Sequence, residues 1–219
     1  MTNQVVNTAK TANTVSFSGE GKILAKPDIA VISLSMVTEA ATSKTAQDSN
    51  SQKSQAVTNF LQEQGVENKD IRTTGYNIYP QYRYPQNDKP DISGYQVNQT
   101  IEIKIRDLDK VSPVLDGAVS AGVNQVNSLN FLIDDPDALK AEARTKAIEN
   151  AKIKAKELEK QLGVRLGRIV NFSESVGGFP GPIFYEKVLD GNMGGGGGPA
   201  LPAGENEIIV NVSITYQIR

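Results

Sequence analysis

Residues 93–106 read SGYQVNQTIEIKIR, and their period of two decides the fold class. Tyr95, Val97, Ile101, Ile103 and Ile105 fall on one side of this segment, and Gln96, Asn98, Thr100, Glu102 and Lys104 fall on the other. Successive side chains of a β-strand point to opposite faces, so this is a strand with one dry and one wet face. The chain ends the same way: Ile208, Val210, Val212, Ile214, Tyr216 and Ile218 alternate with Asn211, Ser213, Thr215, Gln217 and Arg219. Ile32, Leu34 and Met36 against Ser33 and Ser35 give a third such strand, and Leu129, Phe131 and Ile133 a fourth. Shorter strands are expected at Val15 to Ser18 and at Arg168 to Ser173. One-sided strands belong to a mostly antiparallel sheet with helices packed on one side, which is an α+β fold.

Between the strands the period changes to that of a helix. Asp135 and Pro136 read as N-cap and first helical residue, Asp137 adds favourable charge to the first turn, and Gly163 stops the helix after Lys156 and Lys160. The expected buried stripe is Leu139, Ala143, Ala147, Ala151, Ala155, Leu158 and Leu162; its alanines would let the helix axis come close to the sheet. Glu142 and Lys146 are spaced for an ion pair on the wet side. A second long helix runs from about Ser43 to Gln64, polar in its first half, anchored by Val57, Phe60 and Leu61 and ended by Gly65. A short helix follows Asp107, burying Leu108, Val111, Leu115 and Val119, with Pro113 either kinking it or restarting it behind Ser112.

The outer segments differ in kind. Residues 1–14 are rich in Thr, Asn and Ala without a period, and read as a flexible tether or the flank of a removed targeting segment. Residues 174–206 form a long Gly/Pro-rich loop containing Gly194 to Gly198, and Phe179, Ile183, Phe184 and Tyr185 are its apolar content. Loops of that length in a compact domain carry function or remain disordered. The folded part, 15–219, is one elaborated domain or two small lobes.

Composition excludes more chemistry than it suggests. The 219 residues hold no Cys and no His, which removes disulfides, thiolate nucleophiles, imidazole general bases and Cys- or His-ligated metals. The 23 basic and 25 acidic residues leave a net charge of −2, so no strong field attracts a polyanion. No run of 18 apolar residues is present to span a membrane, so membrane association would need a segment outside this sequence.

Each local motif has a plainer explanation than a site. SGEGK at 18–22 lacks P-loop spacing and a following helix, and its glycines suit a bend or bulge. Asp134, Asp135 and Asp137 lack the spacing of a calcium loop and are explained by helix capping and dipole. Asp28, Glu39, Asp70 and Asp91 are carboxylates of the kind a hydrolase would pair in space, and no lysine follows a serine at the spacing of a Ser-Lys dyad. Lys152, Lys156 and Lys160 share a helical face, but Glu149, Glu157 and Glu159 are interleaved with them and no nucleic-acid-binding motif accompanies them.

The aromatic residues are the exception. Tyr76, Tyr79, Tyr82, Tyr84 and Tyr95, five of the seven tyrosines, fall in or beside YNIYPQYRYPQNDKPDISGY. If 73–84 pairs with 93–106 across a turn at 85–91, Tyr76, Ile78, Tyr82 and Tyr84 share one face and Tyr79 takes the other. Core and cross-strand packing explains that pattern, and so does a contact surface for a partner.

Taken together, SGEGKILAKPDIAVISLSMVTEA, QEQGVENKDIRTTGYNIYPQYRY, ISGYQVNQTIEIKIRDLDKV, AGVNQVNSLNFLIDD and the Ala-Lys helix leading into GVRLGRIVNFSES resemble the SIMPL-domain family, from about Val15 to Arg219. The resemblance implies an α+β fold and a periplasmic or other extracytoplasmic envelope location. It also implies assembly into oligomers, roles in stress tolerance, and neither catalytic residues nor a cofactor. On that basis the expected function is non-enzymatic, through self-assembly or an as yet unidentified protein partner. The interaction residues would be Tyr76, Tyr79, Tyr82, Tyr84, Tyr95, Phe179, Ile183, Phe184 and Tyr185. A small-ligand or glycan-binding module that uses the tyrosines as stacking platforms is the alternative, and a carboxylate-dependent hydrolase a more distant one. No nucleic-acid partner is expected.

Overall fold

The computed structural model of the chain describes residues 13–85, 89–177 and 201–219. In chain order the elements are β1 (Thr14–Ala25), β2 (Ile29–Ala40), α1 (Ser43–Glu63), β3 (Ile71–Arg83), β4 (Asp91–Ile105), α2 (Val111–Ala121), β5 (Gln125–Leu132), α3 (Asp137–Leu162), β6 (Leu166–Val176) and β7 (Asn206–Ile218). Short 3₁₀ turns at Asn68–Asp70 and Leu108–Lys110 precede β3 and α2. All strand pairs are antiparallel, but they form two sheets rather than one: β1-β7-β6 and β3-β4-β2-β5. Each sheet has its own helices, and the chain divides into two compact units accordingly.

In the three-stranded unit α3 lies over β1 and β7, and its buried face consists of Ala143, Ala147, Ala151 and Ala155. The reason the helix can come so close is Gly19 and Gly21. A Cβ on Gly19 would collide with the Ala147 carbonyl and sit 2.6 Å from Ala151 N; one on Gly21 would collide with the Ala143 carbonyl. These glycines therefore make neither a bend nor a bulge. They lie inside β1, a twelve-residue strand that outruns the expected Val15 to Ser18. Leu162, expected on the buried stripe, is 63% exposed. The helix opens one residue later than expected, with Pro136 rather than Asp135 at the N-cap, and Asp135 Oδ1 accepts the Asp137 N–H at 3.2 Å from the residue before it. The Glu142–Lys146 pair forms at 3.1 Å.

The four-stranded unit has a conventional core of large side chains. Ile32, Leu34, Met36, Ile101 and Ile103 of the sheet pack against Val57 and Leu61 of α1 and Val111 and Val114 of α2, with Leu201 and Ala203 against the same cluster. The polar first half of α1 is buried through Ala46 and Asn50. Asn50 Nδ2 donates to Met36 O at 2.9 Å, and Thr38 Oγ1 donates to Ala46 O at 3.1 Å, so hydrogen bonds to β2 hold a stretch that lacks apolar anchors. Thr42 caps α1 through the Thr45 N–H. In α2 the buried residues are Val111, Val114 and Ala118 and Val119 is exposed, so the stripe is rotated from the expected one; Pro113 sits in the first turn, where a missing N–H costs nothing.

The expected 174–206 loop starts too early, since β6 continues through Val176 and β7 opens at Asn206. Residues 178–200 lie outside the described residues, and so do the site expectations at Phe179, Ile183, Phe184 and Tyr185.

Candidate functional site

The hairpin of β3 and β4 carries the tyrosines, and its register fixes where they sit. Tyr76 is opposite Gln99, Ile78 opposite Val97 and Pro80 opposite Tyr95, so these residues share the face that α1 covers on β2 and β4. Tyr79 is opposite Gln96 on the other face. Helix α1 packs over β2 and β4 and scarcely reaches β3, because β3 is the edge strand of the sheet. Tyr76, Tyr79 and Tyr82 are therefore about half exposed and Tyr84 is 74% exposed, whereas Tyr95 on β4 is partly covered. Ile78 and Ile92 extend the exposed surface. Core packing thus accounts for little of this cluster.

Polar contacts tie the hairpin together and to its neighbours. Arg83 grips Asp91 with a fork, Nη2 to Oδ2 at 2.7 Å and Nε to Oδ1 at 3.3 Å, beside the turn. The Arg83 guanidinium holds the Asp91 carboxyl below its usual range, and Asp91 in turn raises Arg83. Around Tyr79, Gln81 and Gln96 both donate their amides to Glu39 Oε1, at 2.7 and 2.8 Å. Gln99 donates to Ser54 Oγ at 3.0 Å and ties β4 to α1. Register breaks at Thr73/Gly75 and Gln81/Tyr82 bend the strand locally.

Two shallow cavities in this unit, of about 100 and 280 Å³, lie instead around Asp70. Asp70 is nearly buried and receives Nε and Nη2 of Arg106, both at 3.1 Å, while Arg106 Nη1 and Lys104 Nζ both donate to Asp134. Lys104 first and Arg106 second hold Asp134 below the usual carboxylate range, and the two carboxylates raise Arg106. Asp134 is thus an ion-pair residue, not the helix-start residue its sequence position indicates. The carboxylates weighed for acid–base chemistry are likewise committed: Asp28 Oδ1 accepts the Asp134 N–H, Glu39 takes the two glutamines, and Asp70 and Asp91 each hold an arginine. Among the described residues no group of three or more Asp or Glu is placed to hold a metal ion.

Sequence reasoning missed a second exposed apolar strip, on β6. Ile169, Val170, Phe172 and Val176 are 42–51% exposed there. The signal was present as RIVNF, but burial depends on which strands the helix covers.

No helix among the described residues is long and apolar enough to cross a membrane. Residues 15–216 match the SIMPL family, described as "Protein of unknown function (DUF541)". The chain is 35% identical over 217 residues to the 26 kDa periplasmic immunogenic protein of Brucella melitensis, covering 94% of this chain and 84% of that protein. It is 32% identical over 167 residues to the uncharacterized protein YggE of Escherichia coli K12, covering 76% and 68% of the two chains. The YggE of Edwardsiella ictaluri is 29% identical over 162 residues.

Proposed function

Since the chain belongs to the SIMPL family, we propose that it is a non-enzymatic protein of the periplasm that acts by self-assembly or by binding another protein, in the service of stress tolerance. One observation carries the assembly reading: the tyrosines of β3 stand exposed on a hairpin whose strands are tied by an ion pair and by side-chain amide hydrogen bonds. Tyrosine presents a large apolar ring with a polar tip at small entropic cost, which is why it is enriched where proteins meet. A rigid display loses less entropy on binding than a mobile one. The periplasmic location rests on the printed name of the Brucella relative.

Light scattering across a concentration series tests this reading. The intact chain is expected to exceed the 23.6 kDa monomer mass. The double variant Tyr82→Ser/Tyr84→Ser is expected to lower that mass, or to abolish capture of a partner, with an unchanged circular dichroism spectrum. A chain that is monomeric at every concentration and captures nothing would remove the proposal. The glycan-binding alternative predicts that the same variant loses affinity for an oligosaccharide instead.

A further inference from the structure

We infer that the open edge of β6 pairs antiparallel with β6 of a second copy of this chain. This rests on the self-assembly reading above and names a surface other than the tyrosine hairpin.

A sheet edge presents unpaired N–H and C=O groups, and proteins guard such edges with proline, charge, irregular register or a covering element. Three of the four edges here are guarded. At β1, Asn150 Oδ1 accepts the Glu20 N–H at 3.4 Å and Lys154 Nζ donates to Ser18 O at 2.9 Å, so α3 side chains meet its outward groups. Strand β3 has Pro80 within it, two register breaks and arginines at 72 and 83. Strand β5 is only eight residues long, rich in Asn and Ser, and faces a register break at Ser33/Leu34.

Strand β6 has no proline and no lysine, and it runs in regular register from Asn171 to Val176 after breaks confined to its first half. Gly177 N donates to Ile209 O at 3.0 Å, continuing that register. In an antiparallel ladder, residues alternate between facing the neighbouring strand and facing away. The N–H and C=O groups of Phe172, Glu174 and Val176 therefore point to the open edge.

Among the described residues the same strand is bare above. Ile169, Phe172 and Val176 are opposite Tyr216, Ile214 and Val210, which puts them on the helix side of the sheet. Helix α3 nevertheless sits over β1 and β7, where Gly19 and Gly21 admit its alanines, and touches β6 at its start, where Glu159 Oε1 accepts the Leu166 N–H at 2.7 Å, and through the Arg144–Glu174 fork at 2.6 and 2.8 Å. A helix drawn to one edge of a three-stranded sheet leaves the other uncovered among the described residues.

Two features select a second copy as the occupant. An edge strand paired with itself about a two-fold axis satisfies both sets of backbone groups at once, as isologous interfaces do. The one charged side chain in the regular stretch of β6, Glu174, is already neutralised by Arg144, so an antiparallel twin meets no unpaired charge there. The four exposed side chains offer on the order of 400 Å² of apolar surface per copy, the size of a functional patch. Two copies with their strand backbones reach roughly 1,000 Å², the lower bound of a specific interface.

The absence of cysteine makes the test direct. Single variants Phe172→Cys, Ser173→Cys and Ser175→Cys are exposed to a mild oxidant, with Ile153→Cys on the outer side of α3 as control, and Phe172→Lys is analysed by sedimentation. Paired edge strands bring Cα atoms within disulfide reach, so at least one β6 thiol is expected to give a covalent dimer while Ile153→Cys does not. Phe172→Lys is expected to lower the assembled mass at least twofold; should it fail to fold, the cysteine variants decide the question. If no β6 thiol crosslinks and Phe172→Lys keeps the parental mass while the tyrosine variant loses it, this inference is overturned and the assembly reading stands. A parent chain that never exceeds monomer mass overturns both.

Discussion

The two units solve the same packing problem, a long helix on an antiparallel sheet, by opposite means. The four-stranded unit interdigitates Leu61, Val57, Ile103 and Met36, so α1 stands off the sheet by the length of its side chains. The three-stranded unit removes side chains instead, setting Ala147 and Ala151 of α3 against the bare backbone at Gly19 and Gly21. The first arrangement gains stability from buried apolar area; the second gains it from dispersion contacts at close range and gives up area to do so. The difference teaches where tolerance lies: a side chain facing another side chain can yield, and one facing helix backbone cannot.

The largest effect expected from this contrast is at Gly19→Val. Its Cβ would overlap the Ala147 carbonyl, so the helix must leave the sheet, and a loss of about 4 kcal/mol or more in urea unfolding of the three-stranded unit is expected. A variant that unfolds at the parental urea concentration would break the comparison. Next comes Leu61→Ala, where a fully buried side chain leaves a cavity in the four-stranded core; about 3 kcal/mol is expected by the same measurement.

Gly117→Ala sharpens the point, because the neighbour its Cβ meets is the ring of Phe60, not backbone. About 1 to 3 kcal/mol is expected, and Phe60→Leu in the same chain should recover much of it. A double-mutant cycle that shows no coupling would mean that the ring does not set the cost.

The smallest effect is on acid stability. Asp134, Asp91 and Glu174 are held below the usual carboxylate range, by Lys104 and Arg106, by Arg83 and by Arg144 respectively. A carboxylate whose folded-state value is depressed stabilises the fold above its unfolded value, near pH 4, and loses that contribution as pH falls through the folded value. Melting midpoints are therefore expected to be flat from about pH 8 to about pH 5 and to decline below about pH 4. With no histidine in the chain, no step is expected near neutrality. Asp134→Asn should shallow the acid decline, and a decline beginning above about pH 6 would contradict this assignment.

Much of the fold was legible because its signals are local. The alternation in 93–106 and 208–218 survives as β4 and β7, and Gly65 and Gly163 end their helices with positive φ, as a C′ glycine should. The errors share one cause, which is that they needed knowledge of a distant partner. The glycines of SGEGK look like turn residues until α3, more than a hundred positions later, is found against them. Asp134 looks like a helix-start residue until Lys104 and Arg106 arrive from β4 and its end. Val119 and Leu162 fit a helical stripe but fall where nothing among the described residues buries them. The tyrosines were visible as a cluster, yet only the edge position of β3 turned them into a surface, and β6 became a second surface for the same reason.

What the sequence by itself determined is each element's type, where the two long helices stop, and the lack of any thiol or imidazole chemistry, since these follow from residue identity and backbone periodicity over a few turns or strand steps. Only the tertiary structure decided that there are two sheets, which strands are their edges, and which apolar residues remain in water. Burial is a property of neighbours, and those neighbours are brought together by pairings between residues far apart in the chain, which no short-range period encodes.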